Sequence, residues 1–297
     1  MDIEGMKNKK LILFYITWGM LSTLFFIYIL FPQALLKEVV TQAVQSQNKD
    51  ITLSFDTVTP ILPPGLRMSD VNVAYTGTPL FQANHIDVKP GLVSLVTEKK
   101  KVGITADALG GFWEADIGYK AASGTTELDV FADIKEVHLE ELPVRDLLFG
   151  YGVQGLLSLK GEGNMLNRLI KTGNCQMMMT DVVVDINNRL PGLKSLTFQK
   201  IDMQAEIRDN RLELTKGDIS GKEANGTLSG FITIKFPFSR SILDIRGTVR
   251  PQPDFIKNIS RRLPMGLLFS KMSMKKGIPF FIQGTIAEPD VDLDMDN

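Results

Sequence analysis

The side chains able to do chemistry are few and far apart. Two histidines and one cysteine are all that the 297 residues contain. His85 and His138 are separated by more than fifty positions, and neither has a histidine or cysteine at metal-ligand spacing. His138 stands beside Glu140 and Glu141, as expected of a solvated surface histidine. Cys175 has no partner for an internal disulfide and lies in an apolar run, which suits a small buried hydrophobe. A nucleophile elbow of the Gly-x-Ser-x-Gly type is absent. Gly161-x-Gly163 lacks the third glycine of a dinucleotide loop and is expected to form a turn. Gly217 to Lys222 is one residue short of a phosphate loop and has Glu223 where a hydroxyl is needed. Asn225 and Asn258 begin glycosylation-type triplets, and Asn225-Gly226 is read as a turn. Alternate carboxylates Asp290, Asp292, Asp294 and Asp296 could gather a calcium ion, or form a solvated, self-repelling terminus. These patterns name no catalytic residue, no cofactor and no metal, and the expectation is a protein that is not an enzyme.

One basic segment is patterned more strongly. Phe255, Ile259 and Leu263 recur at four-residue spacing, with Lys257, Arg261 and Arg262 between them and Lys271, Lys275 and Lys276 beyond. Such a helix can lie in the interface of an anionic bilayer or meet a partner. Equally, it can pack on a core with its basic face in water.

The elements that must position these residues begin with a membrane segment. From Leu11 to Phe31 no charge occurs, and only Thr17, Ser22 and Thr23 interrupt the apolar run. About 20 residues at about 1.5 Å each cross a hydrocarbon core of roughly 30 Å. Lys7, Lys9 and Lys10 precede the run, whereas Lys37 follows it with Glu38 beside it. The positive-inside bias therefore makes residues 1–10 a cytoplasmic basic tail, 11–31 a transmembrane helix and 32–297 the part across the membrane. A cleavable secretory signal is the competing reading. It fits less well, because the run is long and no small-x-small site follows it.

Beyond the anchor, Leu35 to Val44 continues as an amphipathic helix and the text then alternates. Residues 201–208 alternate strictly, and Asp209-Asn210 supplies a two-residue turn into the strand of Leu212 and Leu214. Period-two runs recur at Glu127 to Ile134, Gly155 to Gly161, Gln176 to Ile186, Leu228 to Ile234, Leu243 to Val249 and Phe280 to Ile286. Gly161-Glu-Gly163, Asn187-Asn188 and Gly217-Asp218 read as separators, and Leu139 to Phe149 and Asp254 to Met274 as helices. Many short strands without helical crossovers imply a mainly β protein: a twisted antiparallel sheet or half-barrel, with a few helices, behind one N-terminal transmembrane helix. The one-sided apolar surface exceeds what a flat sheet buries, so it must curl, pair, or present a groove. Ile207, Leu228, Ile232 and Ile234 are its candidate lining. A net charge of -1 points to no nucleic-acid partner.

Further landmarks are residues 62–73 (Leu62-Pro63-Pro64-Gly65 onward), Pro90 to Val96, Gly110-Gly111, Leu139 to Pro143, the glycine-rich Gly152 to Gly163, Gly221 to Gly230, Pro237 to Ser241 and Gly284 to Pro289. In their order, the chain resembles the N protein of the bacterial type II secretion system (GspN). The later segments also resemble AsmA-type repeats of envelope lipid-transfer proteins. The resemblance implies a bacterial inner-membrane protein, single-pass, with its bulk in the periplasm and no cofactor. It implies partners among other type II secretion components, and the AsmA likeness adds phospholipid as the rival. It carries over no functional residue.

Overall fold

The computed structural model describes residues 3–47, 51–75, 78–92, 94, 97–122, 124–142, 152–167, 169–190, 193–260 and 277–293. Two helices open the chain, α1 over Ile3–Ile29 and α2 over Gln33–Gln47, with an elbow at Phe31 and Pro32 between them. Thr17 and Thr23 turn their hydroxyls back onto the carbonyls of Leu13 and Gly19 at 2.9 and 2.8 Å, so neither leaves a polar group unpaired. Large apolar side chains cover α1 on every side, Trp18 being 65% exposed. Among the described residues no helix is long and apolar enough to cross a membrane, the side chains of residues 1–10, Leu24 and Ile27 lying outside them.

All the described strands belong to one antiparallel sheet. Its strands are β1 (Ile51–Ser54), β2 (Thr57–Ile61), β3 (Gly65–Tyr75), β4 (Thr78–Pro90), β5 (Lys100–Ala108), β6 (Gly111–Ala122), β7 (Thr125–His138) and β8 (Gly152–Leu166). They continue with β9 (Leu169–Leu190), β10 (Leu193–Arg208), β11 (Arg211–Gly221), β12 (Ala224–Thr233), β13 (Ile242–Pro251), β14 (Ile278–Thr285) and β15 (Pro289–Leu293). The order follows the sequence, with β1 and β2 both on the outer edge of β3 and β15 at the far edge. Consecutive pairing needs only hairpins, which is why no crossover text was visible. A short helix α3 (Pro253–Ser260) lies between β13 and β14, and a 3-10 turn at Leu139–Glu141 follows β7.

The hairpin at Asp209-Asn210 forms as its residues dictate. Both adopt positive φ, 46° and 62°, the geometry that lets a two-residue loop follow the right-handed twist of its strands. Other separators are corrected. Gly161 and Gly163 lie inside β8, opposite Cys175 and Gly173 of β9. Asn187-Asn188 continues β9, Gly217-Asp218 sits within β11, and Asn225-Gly226 belongs to β12, the turn being Lys222-Glu223. At Gly161, Gly163 and Asn225-Gly226 ladder partners on both sides override the local turn preference. Of the helix expected from Leu139, one 3-10 turn is described and 143–151 lie outside the described residues. Likewise α3 ends at Ser260 and 261–276 lie outside them.

Two bulges keep the alternation in phase. Between Ile134 and Val137 the register with β8 slips, Glu136 taking φ of 55°; between Gln154 and Leu156 it slips against β9, where Asp181 has φ of 52°. The extra residue lets Ile134 and Val137, three apart, both face the apolar side.

Candidate functional site

The register assembles apolar side chains from successive strands into continuous rows on one face. Met68, Ile86, Ala106, Trp113, Ile134 and Leu159 pair in sequence from β3 to β8, and Leu159 continues through Met177 to Met203. A neighbouring row runs Ile117, Val130, Gly163, Gly173, Ile207, and onward through Leu212 and Ile232 to Leu243. Between them lie Ala115, Ala132, Gly161, Cys175 and Ala205. The opposite face carries charges and amides, as in Glu114, Asp133, Lys160, Gln176 and Gln204. Two of its aromatics lie under cations: Lys160 Nζ stands 5.8 Å from the Phe131 ring, and the Arg211 guanidinium 3.6 Å from that of Phe231.

The apolar face is covered at one corner. Phe55, Val58, Val71, Ala83, Ala108, Leu109 and Val137 form a buried cluster, with Phe31 and Val40 of the helical arm packed against it. Lys37 lies over the Phe55 ring at 5.6 Å and donates to the Asp56 carbonyl at 3.4 Å. Away from that corner, among the described residues, the substantial packing of strands is with their ladder neighbours, and no second layer lies on the face. Met203, Ile207, Leu212, Leu228 and Ile232 are accordingly only half-buried, and Leu169 at the sheet end is 48% exposed.

Three of the four candidate groove residues share this face: Ile207 opposite Leu212, Ile232 opposite Leu212 and Leu243, and Leu228 opposite Gly247. Ile234 lies past the end of β12, where its amide donates to Asn210 O at 2.7 Å and the residue is 7% exposed. Cys175 sits mid-face, half-buried, with its thiol pKa pushed up by burial. The methionines at 177, 179 and 203 were present in the sequence, but only register brings them onto one face.

Of the basic candidates, Lys257 is exposed on α3 and pairs with Asp254 at 3.3 Å, while Arg261, Arg262, Lys271, Lys275 and Lys276 lie outside the described residues. So do Asp294 and Asp296; Asp290 and Asp292 are exposed on β15.

The polar face holds a depression of about 720 Å³ lined by Lys99, Asp129, Asn164, Glu206 and Arg208 among others. Its charges are engaged with one another. Lys99 pairs with Asp129, Asn164 donates to Asp129 at 2.7 Å, and Arg208 donates to Glu206 at 2.8 Å. Lys99 and then Asn164, by hydrogen bonding to the carboxylate, hold Asp129 below its ordinary pKa. His85 lies 3.2 Å from Asp107 and His138 3.6 Å from Glu140, each a surface pair. Among the described residues no three histidine, cysteine or acidic side chains are grouped to hold a metal. Comparison with known proteins gave no match: no family profile, no curated protein and no solved structure aligns with this chain.

Proposed function

We propose that this chain is a non-enzymatic, membrane-anchored protein whose open apolar face holds the acyl chains of lipid. The observation that carries the reading is the half-buried face spanning β8 to β13, which no second layer covers among the described residues. An apolar surface of that extent in water is unfavourable by about 25 cal/mol per Å², and acyl chains would relieve it without any directional contact. Among the described residues the edges β1/β2 and β15 are unpaired and the sheet is unclosed, which suits a half-barrel that lipid can enter from the side. The anchor in this reading rests on the uncharged run from Leu11 to Phe31 and the lysines before it, a pattern that favours a sheet on the far side of the membrane; the periplasm of a bacterial cell is what the resemblance implies.

Photo-crosslinking tests the reading. With benzoylphenylalanine in place of Ile207 or Ile232, full-length protein irradiated in its native membrane should carry phospholipid adducts by mass spectrometry. Glu206 and Phe231, one residue away on the polar face, should give none. Equal labelling of both faces, or none on either, rejects the acyl-chain reading.

A second reading, an accessory component of type II protein secretion, draws on the ordered glycine and proline landmarks of the sequence. Partner proteins would then meet the same periplasmic sheet. A gene lying among those for pseudopilins, the secretion ATPase and the secretin would support it; a locus without them would remove it.

A further inference from the structure

At one end of the sheet the chain turns at Leu166/Leu169, Arg208/Arg211 and Gly284/Pro289, and the 3-10 turn Phe238–Arg240 joins β12 to β13. The other end has tight turns too, at Ala108/Gly111 and Gly221/Ala224, and both α-helices described after the anchor meet the sheet there: α2 leads into β1, and α3 leaves β13 where Val249 pairs with Ile278. The register fixes this grouping, because Ile51 opposite Tyr75, His138 opposite Leu156 and Ala224 opposite Pro251 all fall at the same end. Phe31, at the C-terminal end of α1, packs on a cluster containing Ala108 and Leu109, the β5–β6 corner of that end. So α1 and α3 depart from one end of a single sheet, at its two sides.

The two sides of that end are unlike. Beside β1 and β2, α2 plugs the apolar face. Beside β9 to β13, no helix covers it among the described residues, and the end presents exposed cations at Lys194, Lys222, Arg250 and Lys257. α3 itself places Phe255 and Ile256 half-buried, with Asp254 and Lys257 exposed around them.

We propose that α3 lies on the surface of the bilayer that α1 enters, so that the sheet stands end-on to lipid and its unplugged apolar face opens onto the membrane between β9 and β13. The partner is an anionic lipid surface, which Lys194, Lys222 and Arg250 face and into whose interface Phe255 and Ile256 insert. This gives acyl chains an apolar path from bilayer to sheet without crossing water. It rests on the anchor reading above.

Single-cysteine full-length chains test it, with Cys175→Ser as background and Gln33→Cys, Phe255→Cys or Arg208→Cys added. Each carries an environment-sensitive fluorophore, and each must keep the cooperative melt of the parent. They are reconstituted in vesicles of phosphatidylcholine and phosphatidylglycerol bearing a nitroxide quencher near the headgroup. Position 208 lies at the far end of β10, whose 16 residues at about 3.3 Å each span roughly 50 Å. Positions 33 and 255 should be quenched several-fold more than 208. Quenching at 33 with 255 indistinguishable from 208 overturns the docking of α3 and leaves the anchor standing. No quenching at 33 overturns the anchor, and the inference with it.

Discussion

Val71 in β3 and Val58 in β2 are 0% and 1% exposed, whereas Met203, Ile207 and Ile232, on the same apolar face several strands away, are only half-buried. Both regions use the same alternation and the same antiparallel ladder. They differ in one element: α2 and the Phe31 elbow lie on the first and nothing described lies on the second. A strand pattern therefore produces a hydrophobic face but does not decide whether that face becomes core or groove. The covering layer decides it.

The sharpest way to break this comparison is a buried charge in each region. Val71→Asp should cost several kcal/mol, about 4 or more, and abolish the cooperative melt, because the carboxylate has no partner and no water. Ile207→Asp should cost about 1–2 kcal/mol with the melt preserved, since water reaches the open face. Urea titrations of both variants check this; equal losses would show that the second face is closed too.

Glycines give a smaller contrast. A methyl at Gly111, in the plugged corner, would overlap the Lys135 carbonyl and approach Val137 to 2.8 Å, so Gly111→Ala should cost about 2 kcal/mol by thermal melting. At Gly161 the nearest atom is Asn174 O at 3.2 Å, and Gly161→Ala should cost less than about 1 kcal/mol.

The Asp209-Asn210 turn belongs to the open region and should be independent of any covering layer. Asn210 Oδ1 accepts the Ile170 amide at 2.7 Å, so Asn210→Gly should lose about 1 kcal/mol despite its ease at positive φ. Asn210→Val loses the same bond and should cost about 1 kcal/mol more, because a β-branched residue resists φ > 0. Equal stability of the two variants would show that backbone strain contributes nothing there.

The polar faces of the two regions should behave alike, which confines the difference to the apolar side. Arg67 donates to Asp87 at 2.6 and 2.8 Å in one, and Lys216 and Lys200 reach Asp202 at 2.9 and 3.1 Å in the other. Both aspartates are held below their ordinary pKa, Asp87 by the Arg67 hydrogen bonds and Asp202 by those of Lys216 and then Lys200. A lowered folded pKa contributes stability above the unfolded value of about 4, lost as pH falls through the folded value. Asp87→Asn and Asp202→Asn should each cost about 1 kcal/mol or less near neutral pH, with the difference from the parent fading in denaturant titrations as the pH falls through the folded values.

The sequence by itself determined the β class, the hairpin turn at Asp209-Asn210 and the lack of crossovers, because strict alternation and a turn pair with φ > 0 are local properties. It also carried the uncharged run of α1. It misplaced Gly161-Gly163 and Asn225-Gly226 as turns, since a ladder on both sides holds glycine and asparagine extended wherever pairing is continuous. The phase of the apolar face across β7 to β9 was hidden by bulges at Glu136 and Asp181, whose extra residues break the period that a sequence displays. Only the tertiary structure decided that Val71 is core and Ile207 is open, and that α2 and α3 share one end of the sheet. Those facts depend on register summed over fifteen strands and on where one helix comes to rest, and no short stretch of residues encodes either.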